Sequence, residues 1–188
     1  MSTKSTEIPR IEAAERQLDA AIKMWLTGGD TLAVHTIAMA SYGLLNDLAS
    51  ARDAQFRRHS NEQIRSTMGH NAFHRVANQL KHGDRDPNSP LNVPCNQFNE
   101  SIIGGALVAF RVITEDLSEL MGAFHLMMLL AHSEKFSFSE DDDPDVEDIA
   151  QYMGSLMRED VSLRRTVVEQ HLKLGSEPIK PLVFGLSH

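Results

Sequence analysis

Thr31-Leu-Ala-Val-His-Thr-Ile-Ala-Met-Ala-Ser-Tyr-Gly-Leu-Leu-Asn-Asp-Leu-Ala49 is the stretch that decides the fold. Wound as a helix, it is apolar on almost every side: Leu32, Ala33, Val34, Ile37, Ala38, Met39, Ala40, Leu44, Leu45 and Leu48 leave little polar surface. A helix of that kind belongs in the centre of a bundle, because only neighbours on several sides can cover it. Asp30 or Thr31 is placed to cap its start.

Working outward, helical spacing recurs in the preceding segment. Ile11, Ala14, Leu18, Ala21 or Ile22, and Trp25 predict a helix over 9–26, ended by Gly28-Gly29. So short a link makes the two an antiparallel helical hairpin. Residues 52–69 are polar, with a short helix expected over 61–68. Phe73, Val76, Ala77 and Leu80 form the apolar stripe of a helix over 71–82, with Gly83 at its C-cap. From Asp84 to Asn96 three prolines and three asparagines predict an ordered loop. Apolar spacing returns over 97–132, with Thr114-Glu115-Asp116 as a fresh N-cap and acidic first turn, so two helices or a kink are expected there. Weaker helices follow over 145–156 and 160–172. No alternating strand pattern appears. The expectation is an all-α bundle of six to seven helices in one domain, 8–174, with an extended tail, 175–188.

Composition agrees with a globular chain and narrows its chemistry. The 188 residues are 41% hydrophobic, 23% charged and only 6% aromatic, so Leu, Ala, Met and Ile must fill the core. Met121, Phe124, Met127 and Met128 read as soft core filling. The formal charge of −8 excludes a general polyanion binder, since affinity for phosphate comes from Lys and Arg. The charge is segregated, however. Arg57, Arg58, His59 and Arg65, then Arg75, Lys81, His82 and Arg85, lie close in sequence, whereas the acidic excess gathers in Ser139–Asp148. Cys95 is the single cysteine, which rules out an intrachain disulfide and, with a polar opening segment, predicts a cytoplasmic protein without membrane spans.

Several sites are excluded by spacing. No Glu-x-x-His pair of a di-iron bundle and no His-Glu-x-x-His is present, and His70, His74 and His82 have no spaced carboxylate partner. An EF-hand loop starting at Asp141 would put Val146 where Gly is needed and Tyr152 where Glu is needed. Phosphate-binding glycine motifs are absent. No metal or cofactor is expected. His35 and His125 lie in apolar helices and are expected as hydrogen-bonded core histidines.

One segment, Arg75 to Pro87, carries suggestive chemistry. On a helix, Arg75, Asn78 and His82 share a face. Such an Arg, Asn and His can perform acid–base chemistry on a phosphodiester, the His moving a proton and the Arg stabilising the oxyanion. Lys81, Asp84, Arg85 and Asp86 crowd the helix end as ligand-binding candidates. Alternatively, Asp84 and Asp86 lock the loop by accepting from Arg85, Lys81 or loop N–H groups, with His82 favoured by the helix dipole.

The run Ala77-Asn-Gln-Leu-Lys-His-Gly-Asp-Arg-Asp-Pro87 resembles the signature of an uncharacterised bacterial all-helical family. In that signature an Asn, any residue, and a Phe or Leu precede Lys-His-Ala-Asp-Arg-Asp-Pro. The likeness covers roughly residues 8–131, and Gly83 stands where the family usually has Ala. The segment also resembles the HEPN superfamily of helical bundles, many of them metal-independent RNases of toxin and defence systems. Their motif is an Arg and, four to six residues on, a His. Six residues separate Arg75 from His82, and Val76 stands where a polar residue usually follows the Arg. That resemblance implies a homodimer whose two motifs meet across a cleft, with RNA as substrate. The leading expectation is a helical binding or regulatory domain, homodimeric, with a structural Arg75–Pro87 loop. The alternative is the RNase.

Overall fold

The computed structural model describes residues 7–67, 70–82, 88, 90–91, 93–114, 116–132, 155 and 160–174. Among them are seven helices and no strand: α1 (Arg10–Leu26), α2 (Thr31–Arg52), α3 (Ala54–Thr67), α4 (His70–Lys81), α5 (Asn96–Ile113), α6 (Glu119–Ala131) and α7 (Val161–Leu174). The fold is all-α. The helices divide into two compact units, one built from α1–α5 and one from α6 and α7. No helix of the described residues is long and apolar enough to cross a membrane.

α1 buries one stripe, Ala14, Leu18, Ala21, Ile22 and Trp25, and pairs Arg16 with Glu12 on its exposed side. It ends in a Schellman motif. Gly28 N–H donates to Trp25 O and Gly29 N–H to Met24 O, at 3.2 and 2.8 Å, with Gly28 at φ 70°. Gly29 is needed for a different reason: a Cβ there would sit 2.9 Å from Met24 O. Asp30 then caps α2, its carboxylate accepting from Leu32 N and Ala33 N at 3.0 and 2.9 Å.

α2 is the central helix of this unit and packs against α1, α3 and α5. Val34, Ala38, Met39, Tyr42, Leu45 and Ala49 are buried, and Ser41 Oγ donates to Ala14 O across the α1 contact at 2.9 Å. It is not covered all round: Thr36, Ala40, Gly43 and Asp47 form an exposed strip at helical spacing. α5 supplies the facing core with Ile102, Ile103, Ala106, Leu107, Ala109 and Phe110. Truncating one such buried Leu or Ile to Ala typically costs about 2–5 kcal/mol. Gly105 allows the closest approach, since a Cβ there would lie 3.1 Å from the Tyr42 ring.

The segment after α2 departs from expectation. Residues 54–67 form one helix rather than a short turn of helix over 61–68. Asp53 explains the break: it leaves the helical region at φ −136° and ψ 111°, then its carboxylate accepts from Gln55 N at 2.7 Å and restarts the chain as α3. α4 packs against α3. Val76 is buried, at 6% exposure, but Leu80 is 42% exposed and so is not part of a core stripe.

The long apolar run does split in two. Thr114 is extended at φ −126° and ψ 150°, and its hydroxyl donates back to Phe110 O, closing α5. The new cap, however, is Ser118, whose Oγ accepts from Met121 N at 3.2 Å, four residues beyond the Thr114 expected. In the second unit α6 packs with α7. Met121, Phe124 and Met127 are buried, as expected of core filling, whereas Met128 is only half-buried; Val168 and Arg164 on α7 are buried too. Asp160 caps α7 by accepting from Ser162 N and Leu163 N. The expected helix over 145–156, save Ser155, and the tail 175–188 lie outside the described residues.

Candidate functional site

α4 presents its expected polar face to solvent. Arg75, Asn78, Lys81 and His82 are all exposed, and Val76 points to the buried side. His82 continues the helical turn, its N–H donating to Asn78 O at 3.0 Å. Seven residues of helix set Arg75 and His82 about 10 Å apart along the axis, two turns on one side. Both side chains are therefore within reach of one extended ligand. The buried Val76 also gives a physical reason for an apolar residue after the Arg: that position is the anchor of α4. Asp84, Arg85 and Asp86, the ligand-binding candidates of the loop, lie outside the described residues.

α3 extends the same character. Arg57, Arg58 and His59 are exposed, as is Arg52 at the end of α2, which donates to Ile113 O. Over residues 52–82 six Arg or Lys stand against Asp53 and Glu62 alone, with four histidines besides, in a chain whose total charge is −8. Among the described residues, no acid pairs with the side chains of Arg57, Arg58, Arg75 or Lys81. Unpaired exposed cations hold a positive potential that paired ones would cancel.

This basic arm is rooted on α2 by a hydrogen-bonded chain. Ser60 Oγ donates to Asn46 Oδ1 at 3.0 Å, and Tyr42 OH lies 3.1 Å from Ser60 Oγ. Ser60 has one proton and gives it to Asn46, so Tyr42 is the donor in the second bond. Burial pushes the Tyr42 phenol above its ordinary pKa, outweighing the downward pull of Ser60, so it stays a donor. Around Asn46 the two helices form a polar groove, open to solvent on one side, of about 360 Å³, lined by Asn46, Asp47, Ser50, Ala51, Arg57 and Asn61.

A second polar group lies inside the core, where no ligand reaches it. His35 and Asn99 are fully buried. Asn99 Nδ2 donates to Thr31 O at 2.8 Å, which fixes the amide's orientation and leaves Oδ1 facing His35 Nδ1 at 3.1 Å. Nδ1 therefore carries the imidazole proton, and the lone pair on Nε2 is buried without a partner. The ring stacks on Phe98 at 5.6 Å between centroids. Burial holds the His35 pKa below its ordinary value, against the upward pull of Asn99. Beside it, Trp25 Nε1 donates to the buried Glu100 at 3.2 Å. His35 is thus the bonded core histidine its apolar helix implied. Asn99 and Glu100 carried a signal that went unread: they lie one helical turn before Ile102 and Ile103, on the buried face.

Among the described residues, no three His, Cys, Asp or Glu side chains gather where a metal ion would sit. Cys95 is exposed at the start of α5. No family model, curated protein or solved structure matches the chain, so residues and geometry carry the functional argument.

Proposed function

We propose that this protein is a cytoplasmic, homodimeric helical binding domain whose α3–α4 arm receives an anionic partner, with RNA as the partner that fits best. The carrying observation is the set of exposed cations, Arg57, Arg58, Arg75 and Lys81, unpaired among the described residues and set on two helices packed against each other. In this reading the core positions the arm.

The test is binding of a labelled single-stranded RNA oligonucleotide by fluorescence anisotropy. Reversing Arg58 and Arg75 together to Glu is expected to weaken binding at least tenfold with an unchanged circular dichroism spectrum. Equal binding by that variant removes the proposal. The dimer is tested separately, by light scattering during size-exclusion chromatography.

A second reading is favoured by the exposure of Arg75 and His82 on one side of α4. In the RNase resembling the HEPN superfamily, His82 moves the proton, Arg75 stabilises charge on the phosphorus oxygens, and Asn78 supports them. The same RNA then shortens with time, and His82→Ala stops the cleavage while RNA binding persists. Intact RNA after prolonged incubation leaves binding alone.

A further inference from the structure

We propose that the polar pocket between α2 and α3 binds a free α-amino acid. The inference shares Arg57 with the arm's proposed role but stands on separate observations, and Asp47 and Ser50 belong to the pocket alone. It rests on the pocket's volume, on its two opposed charges and on a buried hydroxyl without a partner.

A pocket of about 360 Å³ lies at the small end of the range for small-molecule sites, fit for a compact ligand. Of its six lining residues only Ala51 is apolar, which excludes lipid and aromatic ligands as the main occupant. Asp47 and Arg57 carry opposite charges on the same lining, yet no ion pair joins them. A simple anion would meet repulsion from Asp47, and a simple cation from Arg57. A molecule bearing both charges meets neither. The Arg57 guanidinium offers the planar fork that matches a carboxylate, and the Asp47 carboxylate accepts from an ammonium group.

The neutral groups fit the same class. Ser50 Oγ is buried and has no hydrogen-bond partner. Buried hydroxyls are normally satisfied, so this one has capacity for a ligand. Asn46 commits its carbonyl oxygen to Ser60, and Ser60 is held by Tyr42. That chain fixes the Asn46 amide and turns its Nδ2 donors to other partners. An α-amino acid sets carboxylate and ammonium on one carbon, the most compact way to satisfy both charges, and leaves its side chain to Ser50 and Asn61.

The experiment titrates the full chain with each standard free L-amino acid and follows the 1H–15N amide spectrum. At least one amino acid is expected to saturate below about 10 mM, with shifts centred on residues 46–61. Its N-acetyl derivative, lacking the ammonium, and its carboxamide, lacking the carboxylate, are each expected to bind at least tenfold more weakly. Asp47→Asn, Arg57→Ala and Ser50→Ala should each weaken binding by a similar factor. Asp47 is exposed and Ser50 Oγ unbonded, so these two variants keep the wild-type melting temperature. Asp47 is no part of the basic arm, so Asp47→Asn leaves RNA binding intact and separates the two proposals. The proposal is overturned if no amino acid saturates, if the shifts centre elsewhere, or if either single-charge derivative binds as well as its parent.

Discussion

In the α1–α2–α5 core, His35, Asn99 and Glu100 are buried and hydrogen-bonded; in the α3–α4 arm, Arg57, Arg58, Arg75 and Lys81 are exposed and unpaired among the described residues. Both regions are rich in polar side chains, and the solvent decides what those side chains do. Inside, a polar group without a partner costs about 1–3 kcal/mol, so each is used to fix register between helices. Outside, the same lack of a partner costs little and leaves the charge available to something else. The core is therefore where substitutions should cost stability, and the arm where they should cost binding.

The largest effect is expected at Asn99. Asn99→Leu keeps most of the volume but strands the His35 Nδ1–H, and should lower the unfolding free energy in urea by about 1–3 kcal/mol. Arg75→Ala in the arm should change it by less than about 0.5 kcal/mol. Equal losses at the two positions would break the contrast.

The pH dependence follows from His35. Its folded pKa lies below the unfolded value, so the unfolded chain takes up the proton first as pH falls. His35 neither gains nor loses stability above pH of about 6.5, and it destabilises the fold below that at up to about 1.4 kcal/mol per pH unit. His35→Gln keeps a donor for Asn99 and should flatten the acid limb of a melting-temperature profile. The same acid slope in the variant would shift the cause to other groups.

Two glycines give the smallest and cleanest contrast. Gly43 lies on the exposed strip of α2 with open space around a would-be Cβ. Gly43→Ala should raise stability by about 0.5–1 kcal/mol through helix propensity alone. Gly105→Ala gains the same propensity but meets the Tyr42 ring, so thermal melts should show no such gain.

Much of this fold was legible because apolar spacing repeats. The Ala14–Trp25 stripe, the Gly28-Gly29 stop and the Asp30 cap each follow from local chemistry that the final packing reinforces. α3 was not legible as one helix because polar residues dominate it, and its start is set by the Asp53 break rather than by a stripe. Leu80 fits a helical apolar pattern and is nonetheless exposed, since periodicity shows which side is apolar but not whether anything covers it. Of the site, the shared face of Arg75, Asn78 and His82 could be read from spacing. The α2–α3 pocket could not, because it joins Asn46, Asp47 and Ser50 on one helix to Arg57 and Asn61 on another.

The most direct test of the binding role is the salt dependence of RNA affinity. A plot of log Kd against log salt for wild type, Arg75→Ala and Lys81→Ala counts the cations in contact. Each variant should lose about 0.7 from the magnitude of the slope if its side chain meets a phosphate of single-stranded RNA. Slopes identical to wild type for both variants would contradict the assignment of the α3–α4 arm as the anion-receiving surface.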